Sequence, residues 1–280
     1  MCVGIWGSTW LAITYQLGHV APEASVFYRF LLASALLFAF CAARRLPLRY
    51  PRREHCWLAL LGITMFGASY IFVYYAEALV VSGLVAVGFS ASPLLGMIGQ
   101  RISFGTPMTA RMAAGSLLGI AGIALVFWPE FATLGVGTRV ALGAFYTVLA
   151  VVVATVGSLV AYRNHNANLP VWQSMAWGML YGSLLSLVVA LATGQSLGFQ
   201  ATIPYVASLL YLTVFGSIIA FSCYLTLLNR IGAARSGYIG VMVPIVALVI
   251  SSFFEGFQWH LLTLVGIAIS VAGNVLVLRR

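Results

Sequence analysis

The sequence predicts an all-α integral membrane protein, with ten transmembrane helices forming two inverted five-helix repeats. Three observations carry this. Of the 280 residues, 62% are hydrophobic and 7% charged, outside the range in which a chain can cover a folded core with a polar exterior. The chain also repeats itself. At an offset of 151, Pro93 falls on Pro244, Gly105 on Gly256, Gly115 on Gly266, Gly122 on Gly273 and Leu125-Val126 on Leu276-Val277. Gly7-Ser8 falls on Gly157-Ser158 at an offset of 150. Finally, each half holds five apolar runs, and an odd number makes the second half enter the membrane from the opposite side. The repeats are therefore expected at 1–130 and 137–280.

Apolar runs separated by short polar or proline-containing breaks predict helices at 3–18, 22–43, 56–78, 81–100, 107–128, 137–162, 170–193, 203–229, 233–254 and 260–278. Most reach the roughly 20 residues that cross a bilayer. The first, about Val3–Leu17, falls short, which points to a few residues missing at its start. It lacks the basic flank and small-residue cleavage site of a signal peptide. The second opens at Pro22, a residue suited to a first helical turn. The breaks at Val80–Ser82 and at Gly232-Ala233 are weak individually, but they occupy corresponding places in the two halves. The fifth helix carries Gly115, Gly119 and Gly122, and the tenth Gly266, Ser270 and Gly273, a spacing that lets helices approach closely. Helices are the only economical choice, because each satisfies its own backbone polar groups in lipid; the short alternating segments of a barrel are absent.

All 14 basic residues are arginine and all 5 acidic residues are glutamate, for a net charge of +9. The arginines sit between apolar runs rather than on one basic face, which argues against nucleic acid as a partner. With a cytoplasmic N-terminus, 12 of the 14 fall on the inner side, Arg139 lies outside and Arg29 lies within a span. This positive-inside bias predicts both termini in the cytoplasm of a bacterial inner (plasma) membrane. Glu23, Glu77, Glu130 and Glu255 fall at outer ends, with Glu54 inside. Cys2, Cys41, Cys56 and Cys223 are scattered and lack metal-ligand spacing, so they read as small buried hydrophobes. No metal or other cofactor is expected, and the chain should act as a monomer or weak dimer.

The chain resembles the EamA-type transporters of the drug/metabolite transporter superfamily. The stretches that carry the likeness are Trp6-Gly7-Ser8, Pro22 with Arg29, and Tyr75-Ala76-Glu77-Ala78-Leu79 running to Pro93. In the second half they are Gly232-Ala233-Ala234-Arg235, Val243-Pro244, Phe254-Glu255-Gly256 and the helix with Gly266 and Gly273. One departure is Phe104, where the second half has Glu255. The resemblance implies export of amino acids, other small metabolites or drugs. It also implies a cavity lined by the first, third, fourth, sixth, eighth and ninth helices.

Within that frame, side chains three or four residues apart share a helix face. Trp6 and Trp10 form one such stripe, and Tyr70, Tyr74 and Glu77 another. With Tyr238 they make a candidate substrate site, suited by stacking and hydroxyl hydrogen bonds to an amphipathic small molecule. The bland alternative for such aromatics is anchoring at headgroup depth. Pro93 and Pro244 each remove a backbone hydrogen bond at matching positions and are candidate hinges. Arg29 lies about 10 Å below the outer surface at 1.5 Å rise per residue. Alone in lipid it would cost on the order of 3 kcal/mol or more, so it needs a partner, either a helix-end clasp or a substrate carboxylate. Glu77 and Glu255 are candidate proton carriers only if buried, since a solvated carboxylate titrates near about 4.3. The leading expectation is an exporter of small amphipathic metabolites such as amino acids, working by alternating access. The alternative is a membrane enzyme or non-transporting component. No Ser/His/Asp group can form without Asp, and His19, His55, His165 and His260 lie in or beside loops.

Overall fold

A computed structural model describes residues 1–18, 20–105, 107, 109–133, 138–227 and 238–278, and no strand occurs among them. The predicted Gly232–Arg235 break, His19, and the terminal Arg279 and Arg280 lie outside the described residues. Among the described residues ten helices follow in order: α1 (Cys2–Thr14), α2 (Pro22–Ala43), α3 (Arg52–Glu77), α4 (Ser82–Phe104), α5 (Ala110–Thr133), α6 (Thr138–Asn166), α7 (Val171–Ala192), α8 (Ile203–Leu227), α9 (Tyr238–Phe254) and α10 (Leu261–Leu278). α2 to α8 are each long and apolar enough to span a bilayer, while the described parts of α1, α9 and α10 are shorter.

Several boundaries differ from expectation for local reasons. α3 starts at Arg52 rather than 56, because Pro51 stands just before the first turn and fixes the chain direction there. α4 runs to Phe104 rather than 100 and stops at Gly105, whose φ of 69° is the left-handed conformation favoured by glycine at a helix end. α6 continues past 162 to Asn166, with Asn168 at a φ of 58° just beyond it.

The pairing of helices follows the repeat. α5 packs on α10, α2 on α7 and α4 on α9, each pairing one repeat with its mate, while α1 contacts α9 as α6 contacts α4. The small residues of α5 and α10 bring their backbones together: a Cβ added at Gly122 would lie 2.5 Å from both Gly266 O and Ser270 N, and one at Gly273 would strike Gly115 O. Outward faces are apolar. Leu117 on α5 and Leu261 on α10 are 69% and 78% exposed, an arrangement favourable in lipid and costly in water. The main core lies where α1, α2, α3, α7 and α8 meet, around Phe30, Phe66, Tyr74, Met175, Met179 and Leu212.

One feature escaped the sequence. The middle of α3 (Gly62–Ala68) and the middle of α8 (Leu212–Ile219) are π-helical. They occupy corresponding places in the two repeats. In a π-helix the hydrogen bonds reach one residue further, and such segments frequently mark functional sites.

Candidate functional site

The two π segments are held differently. That of α3 meets glycine on two sides. A Cβ at Gly182 of α7 would lie 2.8 Å from Gly62 O and 3.0 Å from Gly67 N, and one at Gly157 of α6 would lie 2.7 Å from Met65 Cβ. That of α8 is gripped by side chains. Arg29 Nε of α2 donates to Ser217 Oγ at 2.9 Å, and Trp6 Nε1 of α1 donates to Gly216 O at 3.2 Å. Thr213 Oγ1 also donates to Arg29 O at 3.4 Å.

Arg29 is 1% exposed, and its guanidinium lies 4.5 Å from the ring centre of Tyr70 and 5.1 Å from that of Phe30. These contacts offset part of the cost of a buried cation. The guanidinium grips a hydroxyl in the middle of a helix rather than carbonyls at a helix end. Its Nη1 has no hydrogen-bond partner.

Trp6, Trp10, Tyr70 and Tyr74 belong to one cluster inside the bundle. Trp6 meets Phe221 and Tyr224 edge-on or tilted, with ring centres 5.1 and 5.2 Å apart, and Trp10 meets Phe89 at 5.2 Å. Tyr74 is wholly buried and donates to Gln16 Oε1 at 2.7 Å. Glu77 is 7% exposed. Tyr70 and Tyr224 are half-buried. Trp10 Nε1 is buried without a partner. Tyr238 begins α9, but its side chain lies outside the described residues. Gln16, Phe89, Ser217 and Tyr224 were missed by sequence reasoning. The matching Phe66-Gly67 and Phe215-Gly216, 149 residues apart, were the available signal for the two π segments.

The candidate hinges meet at one crossing. In α4 a 3-10 turn at Phe89–Ala91 precedes Pro93, while Pro244 lies inside helical α9. Pro93 Cγ would touch a Cβ at Gly240 of α9 at 3.7 Å. Pro244, Val87 and Ser90 border a small void of about 10 Å³ that reaches Ser270 and Asn274 of α10.

One end of the α4–α9 pair is tied by a carboxylate. Glu255 accepts from Ser82 N at 3.1 Å, Ser82 Oγ at 2.5 Å and Ser251 Oγ at 2.5 Å. A carboxylate on the first backbone N–H groups of a helix is favoured by both hydrogen bonding and the helix dipole. Elsewhere Arg163 Nη1 of α6 pairs with Glu54 Oε2 of α3 at 2.5 Å and lies over the Trp57 ring at 4.6 Å. A larger groove, about 350 Å³ and open to its surroundings, separates Leu11, Ala12 and Tyr15 at the end of α1 from Pro204, Ala207 and Ser208 of α8. No cluster of residues able to hold a metal occurs among the described residues.

In comparison with known proteins, the EamA-like transporter family matches residues 1–128 and 141–279. The chain belongs to that family. EamA-like relatives include the "Uncharacterized inner membrane transporter YedA" of Escherichia coli strain K12, 26% identical over 90% of this chain and 80% of its own. The "Probable terminal-alkyne amino-acid exporter" of Streptantibioticus cattleyicolor is 28% identical over 100% of this chain and 92% of its own. A solved crystal structure matches with a TM-score of 0.74 over 98% of this chain and 93% of that one. At 18% identity, this last likeness speaks for the fold alone. As an EamA-like transporter the protein is integral to a membrane and carries a small-molecule substrate. The names of these relatives are those of transporters, not of enzymes.

Proposed function

We propose that the protein exports small amphipathic metabolites, amino acids among them, by alternating access between its repeats at 1–130 and 137–280. The observation that carries this reading is that Trp6, Trp10, Tyr70 and Tyr74 join one cluster, with the Arg29 guanidinium, one nitrogen of which has no hydrogen-bond partner, over the Tyr70 ring. Aromatic faces take rings or alkyl groups, while hydroxyls, indole N–H and guanidinium take polar ends. A multiply charged ligand would be disfavoured, since its desolvation would go uncompensated. Tyr238 would complete the wall from α9, and Tyr224 adds to it from α8. The amino-acid exporter among the relatives supports the substrate class.

In this reading the termini are cytoplasmic, the membrane is a bacterial inner membrane, and the protein works as a monomer or weak dimer. Pro93 and Pro244 serve as hinges at the α4–α9 crossing. The Glu54–Arg163 pair then lies at the cytoplasmic side and the α1–α8 groove at the outer side, so the described form is closed inward.

The test is an unbiased comparison of metabolites accumulating outside cells with and without the protein, repeated with Trp10→Ala, Tyr70→Ala and Tyr74→Ala. Amphipathic solutes should rise with the wild type, and each variant should export less while remaining folded. No solute difference, or normal export by all three variants, would overturn the proposal.

A further inference from the structure

Three carboxyl groups gather near the end of α3. Glu23 stands in the first turn of α2, Glu77 closes α3, and Glu255 follows α9. The donors around them are unequally shared. The Tyr75 hydroxyl donates to Glu23 Oε1. Glu255 takes the three donors from Ser82 and Ser251 described above and stays partly exposed. Glu77 is 7% exposed, and neither of its oxygens has a hydrogen-bond partner.

The surrounding elements offer it no hydrogen bond. Among the described residues, the cation within electrostatic reach is Arg29 of α2, which commits Nε to Ser217 and its face to Tyr70 and makes no hydrogen bond to Glu77. Glu255 adds a like charge. Neighbouring elements bring Gln16 from α1, Glu23 from α2, Ser82 from α4 and Tyr146 from α6, the last with its ring against Tyr75. None of these donates to Glu77. An ionised carboxylate left dry and unpaired in an apolar interior neutralises instead. Intramembrane carboxyls of this kind mark proton relays.

We propose that Glu77 is a proton-binding site, neutral while the bundle is closed around it and releasing its proton when opening admits water. One O–H bond of the carboxyl breaks, the proton passes to water, and nothing is oxidised or reduced. A transporter built this way moves a proton as it opens and closes. That consequence rests on the function proposed above, whereas the protonation itself does not.

The experiment uses the full-length protein in proteoliposomes at pH 7. Dicyclohexylcarbodiimide, a hydrophobic reagent for protonated carboxyls, should label Glu77 and spare Glu23 and Glu255 in peptide mass maps. The infrared difference between wild type and Glu77→Gln should contain a protonated-carboxyl C=O band that shifts in heavy water. Glu77→Leu serves as a second reference should Glu77→Gln fail to fold. An ionised-carboxylate band in place of the protonated one overturns the proposal, as does labelling of Glu255 with Glu77 untouched. In the export assay, wild-type export should follow the pH difference across the membrane and Glu77→Gln export should not. The same pH dependence in both overturns the coupling. Absence of export altogether counts against the function alone and leaves the infrared result standing.

Discussion

Two seams of the bundle are related by the repeat, α3 with α6 and α8 with α1, and they are packed differently. The α3–α6 seam is closed along its length by Glu54–Arg163 at one end, Gly157 against Met65 in the middle, and Phe72 and Tyr75 against Tyr146 at the other. The α1–α8 seam is joined over one half only, through Trp6 to Gly216 and Ser8 to Tyr211 at 2.6 Å. Beyond Ser8 the helices part and leave the groove of about 350 Å³. The repeat mates Gly7 and Gly157 accordingly have different neighbours. A Cβ on Gly7 would strike Val246 of α9, whereas one on Gly157 would strike Met65 of α3. Related segments thus support two packings, as a bistable interface must. Exchanging those packings between the seams is a physical route to alternating access.

The π segments sharpen the contrast. On the closed side, glycines let backbone meet backbone. On the partly open side, Arg29 and Trp6 reach in and hold the Gly216-Ser217 pair. Side-chain grips can be released by rotamer changes, while glycine contacts yield only when whole helices separate.

The largest effect is expected from Gly157→Leu. Its Cβ would lie 2.9 Å from the backbone N of Met65, and backbone cannot give way as a side-chain tip does. Overpacking of this kind costs about 1–3 kcal/mol, read as a lowered midpoint of thermal unfolding in detergent. A wild-type midpoint would show that the closed seam is not held as described.

An intermediate effect, on conformation rather than stability, is expected from Pro93→Ala and Pro244→Ala. Each restores one backbone donor at the α4–α9 crossing. Membrane insertion should be unchanged while the balance between the two open forms shifts, measured by the accessibility of single cysteines placed at Leu11 and Trp57. Unaltered accessibility and transport in both variants and in the double variant would remove the hinges from the mechanism.

The smallest stability effect is expected from Glu54→Gln. The pair is about one-fifth exposed, with 21% for Arg163 and 19% for Glu54, so its loss should cost about 1 kcal/mol or less. Its conformational effect is the sharper reading: labelling of a cysteine at Trp57 should rise as the closed end loosens. A loss of several kcal/mol would assign this pair a structural role in place of a gating one.

The sequence made the helices legible because lipid leaves a chain few alternatives. Around Ser82–Phe104 and Val171–Ala192, the lengths and breaks of apolar runs sufficed. The glycines of α5 and α10 also declared their purpose, since only close packing rewards such spacing. Arg29 was recognisable as a buried cation in need of a partner, yet Ser217 was not recognisable as that partner, because 188 residues separate them. The π segments were hidden too, since Phe66-Gly67 and Phe215-Gly216 read as ordinary helix in any local window.

Sequence alone determined the ten helices, the duplication and the membrane environment, because each follows from local hydrophobicity and from a repeat visible in one dimension. Tertiary structure decided which distant side chains touch and which of the two seams is partly open. It also decided which carboxyl, among Glu23, Glu77 and Glu255, is left without a donor. Those outcomes depend on distances between helices far apart in the chain, and a burial cost is set only when neighbours are in place to withhold or supply water, charge and hydrogen bonds.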